Sequence, residues 1–235
     1  MRVLLLREAT RAAETATKLR AHGLTPLLLP LETVEALSPP PANGRFDILV
    51  ATSAHALPWL KRHYPPDGRA LYAVGPATAA AARRFGYADV TAAAGNAASL
   101  AGLLSRRAGG RSILYAAGLP RRPDLELELT QAGLDFTTAD VYRAGTRQPL
   151  PGEVEAVLGD TPPDCVMLLS AGQAEAFERL HARFGDRVGA GPLFCLSERI
   201  AASVSPSLRR NCVVSAMPAM DSLIEAVRRY RCTLP

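Results

Sequence analysis

Short runs of consecutive apolar residues alternate with segments of helical spacing along the chain. The pattern predicts strands at 4–6, 26–31, 47–51, 70–74, 88–92, 111–116, 135–141, 164–169, 192–196 and 211–215. Between them it predicts helices at 10–22, 54–63, 76–85, 97–107, 123–132, 152–158, 172–183, 198–204 and 220–230. The strand runs are apolar at successive positions, which marks parallel strands covered on both faces. A helix between successive strands supplies the crossover that parallel pairing needs, so the fold class is α/β, parallel sheets with helices on both faces. Gly23 closes the first helix, and Pro58 is expected to shorten or kink the helix it interrupts. Ser38-Pro39-Pro40-Pro41-Ala42-Asn43-Gly44 and residues 145–152 read as loops.

The pattern also repeats. Asp47-Ile48-Leu49-Val50-Ala51-Thr52-Ser53-Ala54 recurs in register as Asp164-Cys165-Val166-Met167-Leu168-Leu169-Ser170-Ala171. Val74-Gly75-Pro76-Ala77-Thr78 has its counterpart in Leu196-Ser197-Glu198-Arg199-Ile200, and Arg2-Val3-Leu4-Leu5-Leu6 parallels Arg111-Ser112-Ile113-Leu114-Tyr115. Two similar α/β lobes imply a cleft in which a ligand is expected. Taken alone, the repeat suggests a tandem cut near Gly109-Gly110.

Composition narrows the partners. A chain of 235 residues with 48% hydrophobic content can build two cores. The net charge of +5 invites a nucleic-acid reading, but the arginines are scattered in pairs such as Arg83-Arg84 and Arg228-Arg229. Those pairs fall where helices should end, so they favour the helix dipole without any partner. Aromatics at 6% offer no stacking platform for single strands, and no nucleic acid is expected. Cys165, Cys195, Cys212 and Cys232 form no C-x-x-C pair, and the four histidines lack ligand spacing, so neither disulfides nor metal are expected. The opening Met1-Arg2-Val3-Leu4-Leu5-Leu6-Arg7-Glu8 is too short an apolar stretch for a signal peptide and no segment suits a bilayer, which predicts a soluble, cytoplasmic protein.

Candidate chemistry gathers at strand ends. Arg7, Thr52-Ser53, Gly75-Pro76, Gly118, Ser170 and Ser197 each follow a predicted strand, where open α/β sheets bind ligands and helix starts offer N–H groups to anions. There is no G-x-G-x-x-G or G-x-x-x-x-G-K-[ST] behind a strand and no nucleophile elbow, so no nucleotide cofactor or hydrolytic triad is expected.

With those residues laid out, the chain resembles the uroporphyrinogen-III synthase family. The likeness rests on the order and spacing of Arg7, Gly23 with Leu29-Pro30-Leu31, Asp47 with Thr52-Ser53-Ala54, Val74-Gly75-Pro76-Ala77-Thr78-Ala79, Gly118 with Arg122 and Leu125, Val141-Tyr142, and Ser197-Glu198-Arg199-Ile200-Ala201. It implies two flavodoxin-like lobes with parallel sheets, joined by two extended crossings. The first lobe would comprise 1–33 plus 147–235 and the second 37–143, with the active-site cleft between them; this discontinuous division is preferred to the tandem cut. Leu31-Glu32-Thr33 and Val141-Tyr142-Arg143 would be the crossings.

The resemblance also implies the reaction. Hydroxymethylbilane, a linear tetrapyrrole with eight carboxylates, would be cyclised to uroporphyrinogen III with loss of water and inversion of ring D, without a cofactor. The substrate closes unaided to the wrong isomer, so the task is orientation more than acid–base chemistry. The implied substrate-binding residues are Arg7, Thr52, Ser53, Gly75, Pro76, Thr78, Gly118, Arg122, Ser170, Ser197 and Arg199. Tyr142 is the candidate acid for the departing hydroxyl and is expected not to be essential. Two readings stand for Thr78, ligand contact or an ordinary first-turn hydroxyl. The chain departs from the family pattern at Ala117, where many members have arginine, and at Ser197-Glu198-Arg199-Ile200, which replaces a second Gly-Pro-x-Thr. A monomer is expected, with the hydroxymethylbilane-producing enzyme as a transient partner. A non-catalytic tetrapyrrole-binding or regulatory protein of the same fold is the alternative.

Overall fold

The computed structural model describes residues 1–189 and 191–232. The chain divides into two compact units, Met1–Thr33 with Gly145–Pro235, and Val34–Ala144. The first unit opens with β1 (Arg2–Leu5), α1 (Ala9–Ala21) and β2 (Thr25–Leu28), and β3 (Glu32–Ala36) carries the chain onward. The second unit runs through β4 (Ile48–Ala51), α2 (Leu57–His63), β5 (Ala70–Ala73), α3 (Pro76–Arg84) and β6 (Val90–Ala92). It continues with α4 (Ala97–Arg107), β7 (Ile113–Leu119) and α5 (Asp124–Gln131), and β8 (Phe136–Thr146) leads back. The first unit is completed by α6 (Pro151–Leu158), β9 (Cys165–Leu168), α7 (Ala171–Phe184), β10 (Leu193–Cys195), α8 (Glu198–Ala202), α9 (Pro206–Arg209), β11 (Cys212–Val214) and α10 (Met220–Arg231).

Each unit is a sheet with an apolar layer on both faces. In the first, Val3 and Leu5 of β1 pack with Leu19 of α1 and Leu223, Ile224 and Val227 of α10. Leu4 and Leu6 face the other way, toward Val154 and Leu158 of α6 and Phe177 and Leu180 of α7. In the second, Leu49 and Ala51 meet Leu57 and Leu60 of α2 and Ala79 and Ala82 of α3. Ile48 and Val50 meet Leu100 and Leu104 of α4 and Leu125 and Leu129 of α5. Double-sided burial explains why successive strand residues are apolar.

The sheet orders account for the repeat. Sheet one runs β11-β10-β9-β1-β2, and sheet two runs β3-β8-β7-β4-β5-β6. Setting β3 aside, β1 and β2 occupy the places of β7 and β8, and β9, β10 and β11 those of β4, β5 and β6. One architecture is thus traversed from two different starting strands. All the pairings among these ten strands are parallel. Val3 pairs with Cys165 and Ile113 with Ile48, so Arg2 corresponds to Ser112, one residue away from the match made on sequence alone. The aspartates that open each repeat do the same work. Asp164 Oδ2 accepts the Arg2 N–H at 2.6 Å, and Asp47 Oδ2 accepts the Ser112 N–H at 3.0 Å.

Three local expectations need correction. Residues 54–63 are not one helix: a 3₁₀ turn, Ala54–Ala56, precedes α2. Pro58 has no N–H to give to a carbonyl four residues back, so the regular helix starts around it, with proline in the first turn. Residues 145–146 are strand rather than loop, since β8 runs to Thr146 and Pro151 starts α6. The helix expected at 198–204 ends at Ala202, and Pro206 starts the separate α9. Glu32–Ala36 forms a strand of its own beside β8, with the Leu37 N–H donating to the Val141 carbonyl at 3.0 Å.

Candidate functional site

In the second unit β4 and β7 are neighbours, yet the segments that follow them leave on opposite faces of the sheet. Such a switch point opens a crevice beyond the strand ends. Thr52 and Ser53 follow β4 directly. Ser53 caps the 3₁₀ turn, its Oγ accepting the His55 N–H at 3.3 Å. Thr52 Oγ1 lies 3.3 Å from the hydroxyl of Tyr115, a β7 residue only 3% exposed. Burial pushes the Tyr115 phenol above its ordinary pKa, against a smaller opposing effect of the Thr52 hydrogen bond.

Gly118 lies at an irregularity in the β7–β8 register, opposite Tyr142. A Cβ at position 118 would overlap the hydroxyl-bearing edge of the Tyr142 ring, so the bare glycine lets the phenol lie against the strand. The same ring sits 5.6 Å, centroid to centroid, from His55. The 3₁₀ turn carrying His55 packs against both β7 and α3. At the head of α3, Gly75 is extended and caps without a side chain, leaving first-turn N–H groups uncapped by any side chain. Pro76 is exposed there, and Thr78, one turn in, is 8% exposed. The structure therefore brings Thr52, Ser53, Gly118 and Tyr142 together at one end of this unit, with the α3 start beside them.

Arg122 does not join them. Its side chain is exposed and pairs with Asp124 at 3.2 Å. The neighbouring Arg121 turns inward to Asp140 and, at 2.9 Å, to Glu126, which also accepts the Thr138 hydroxyl at 3.1 Å. Hydrogen bonding to Glu126 raises the Arg121 pKa, and hydrogen bonding to Arg121 holds Glu126 below the usual carboxylate range.

The first unit has the equivalent switch point between β1 and β9. Arg7 is half-buried there, Nη1 donating to Thr15 Oγ1 at 2.8 Å, while its buried Nε has no hydrogen-bond partner among the described residues. Desolvation lowers its pKa, with Arg11 adding to the effect and Glu32 opposing it. Ser170 caps α7, accepting the Gln173 N–H at 3.1 Å and donating to Glu32 Oε1 at 2.7 Å. Glu32 Oε2 accepts the Glu8 N–H at 3.2 Å. Ser197 stands at the start of α8 without a side-chain cap, and Arg199 is exposed on that helix.

Sequence reasoning missed Tyr115, Arg121, Glu32 and Gln173. Only Gln173 carried a local signal: Ser170-Ala171-Gly172-Gln173 has the spacing of a capping box, and Gln173 Oε1 accepts the Leu169 N–H at 2.9 Å. Among the described residues no group of three His, Cys, Asp or Glu could hold a metal ion, and no helix is long and apolar enough to cross a membrane.

The family model described as uroporphyrinogen-III synthase HemD matches residues 13–225. The chain belongs to the uroporphyrinogen-III synthase family. Among solved structures, a uroporphyrinogen-III synthetase from Helicobacter pylori superposes with a TM-score of 0.70 at 14% identity, over 98% of this chain and 99% of that one. A mutant uroporphyrinogen III synthase from the extremely thermophilic bacterium Thermus thermophilus gives a TM-score of 0.55 at 20% identity over 100% of both chains. No curated protein sequence matches. At such identities the structural likeness speaks for the fold: parallel-dominated sheets with interleaved helices, as the pattern predicted.

Proposed function

We propose that this protein is a uroporphyrinogen-III synthase, which converts hydroxymethylbilane to uroporphyrinogen III. The observation that carries the reading is the family match across residues 13–225. The terminal hydroxyl leaves as water, and the resulting azafulvene carbon is attacked by the substituted carbon of the last pyrrole ring. The spiro intermediate breaks its bond to the neighbouring methylene bridge, that bridge rejoins the ring at its other α-carbon, and this carbon gives up its proton as the pyrrole is restored, inverting ring D. Folding the substrate so that the substituted carbon is presented is an orientation task.

In this reading the second unit supplies hydroxyls of Thr52, Ser53 and Thr78 and the N–H groups after Gly75-Pro76, all suited to carboxylates. Tyr142, held against Gly118 and beside His55, gives a proton to the departing hydroxyl directly or through water. Arg7 and Arg199 of the first unit and the N–H groups after Ser170 and Ser197 take further carboxylates, the Ser170 hydroxyl itself being given to Glu32, and Arg122 contributes charge from solvent. The test is a coupled assay in which a hydroxymethylbilane-producing enzyme feeds the purified protein and the isomers are separated after oxidation. Type III product supports the reading; product entirely of type I overturns it.

A further inference from the structure

The geometry points to Tyr115 as a positioning residue for the proposed reaction: its buried phenol donates to Thr52 Oγ1, which leaves the threonine's own proton for an anionic group of the substrate. This rests on the proposed function and adds a residue that touches no substrate. Tyr115 lies in the apolar layer with Ile48, Val50, Leu100 and Leu104. A phenol has one proton, and a buried donor without an acceptor is costly. Among the described residues Thr52 Oγ1, at 3.3 Å, is the acceptor within reach. The reverse direction would leave the phenol proton unmatched in an apolar layer. Burial also raises the phenol pKa, so the proton stays in place at neutral pH. Thr52 is half-buried at the strand end, so its hydroxyl is fixed as a donor on the accessible side.

The test removes one oxygen. Tyr115→Phe keeps the ring in its layer and should raise KM for hydroxymethylbilane by about 3- to 10-fold, the range of one hydrogen bond, with a smaller effect on kcat. Thr52→Val should do the same, and the double variant should be no worse than Thr52→Val alone, because both changes break one chain of bonds. Tyr72→Phe, another buried phenol of that layer, is the control for packing and should leave KM unchanged. Fluorescence titration with uroporphyrin III, an octacarboxylate, provides a readout independent of turnover, in which Tyr115→Phe should weaken Kd by about the same factor. An unchanged KM and Kd in Tyr115→Phe, or effects that multiply in the double variant, would overturn the inference. Wild-type protein that makes only type I isomer fails the proposed function instead, and there the titration alone decides the role of Tyr115; no wild-type binding in it also overturns the inference.

Discussion

The Tyr142 ring lies against the bare Cα of Gly118, in space that any side chain at 118 would occupy. The contact sits at the β7–β8 register irregularity, which places a phenol at the strand end beside His55. Gly118→Ala must push the ring away or distort the strand. Type III formation should fall by about 10- to 100-fold, the effect of misplacing a group by an ångström. Overpacking should cost about 1–3 kcal/mol in urea unfolding. Tyr142→Phe keeps the ring in place and should retain measurable turnover. A Gly118→Ala enzyme as fast as wild type would show that the ring's position is immaterial; complete loss in Tyr142→Phe would show that the phenol is essential.

Glu32 occupies the place in the first unit where an anionic ligand would be sought. Its carboxylate takes the Ser170 hydroxyl and the Glu8 N–H, tying Glu32 to the starts of α1 and α7 within this unit. Glu32→Ala leaves both donors without that acceptor, which should cost about 1–3 kcal/mol. Glu32→Gln keeps an acceptor oxygen and should cost less than half as much. Urea midpoints followed by far-UV circular dichroism check the order; equal losses would mean that charge, rather than hydrogen bonding, is what Glu32 contributes.

Arg121 should make the second unit sensitive to acid. It holds the folded-state pKa of Glu126 below the ordinary value, so the contribution is present above the unfolded carboxyl pKa and lost as pH falls through the folded one. The Glu126 side chain is 26% exposed, so screening limits the pair to about 0.5–1 kcal/mol. Arg121→Met should lower stability at pH 7 and flatten the loss that sets in as pH falls below the unfolded carboxyl pKa. An unchanged pH slope in the variant would show that Glu126 is stabilised by Thr138 alone.

Burial was the part of this fold most legible in the sequence, because strands covered on both faces must be apolar at every position. Ile48–Ala51 and Cys165–Leu168 are wholly buried, and both stood out as runs. Hydroxyls at their ends were legible for the same reason. What stayed hidden depended on direction. Arg121 and Arg122 are adjacent and chemically identical, and only tertiary packing decides which faces Glu126. Tyr115 reads as one more core aromatic until the ladder sets it beside Thr52. Glu32 meets Ser170 across 138 residues of chain, a distance no local pattern spans.

The cysteines offer a probe of one unit alone, since Cys165, Cys195, Cys212 and Cys232 all belong to the first. Cys232 is exposed and Cys212 half-buried, while Cys165 and Cys195 lie inside β9 and β10. Burial pushes the Cys165 thiol up to about 12 and raises Cys195 and Cys212 as well, so none of the three is a ready nucleophile near neutral pH. At pH 8, Ellman's reagent should modify Cys232 fast and Cys212 more slowly. Cys232→Ser should abolish the fast phase, and denaturant should expose all four thiols. Cys165 and Cys195 lie in the layers on opposite faces of the sheet, so each should react only at the slow rate at which its own layer opens. Anything that binds the folded first unit should slow that rate and leave Cys232 unaffected. Cys165 reacting as fast as Cys232 in the native protein would mean that β9 is not the closed centre of its sheet.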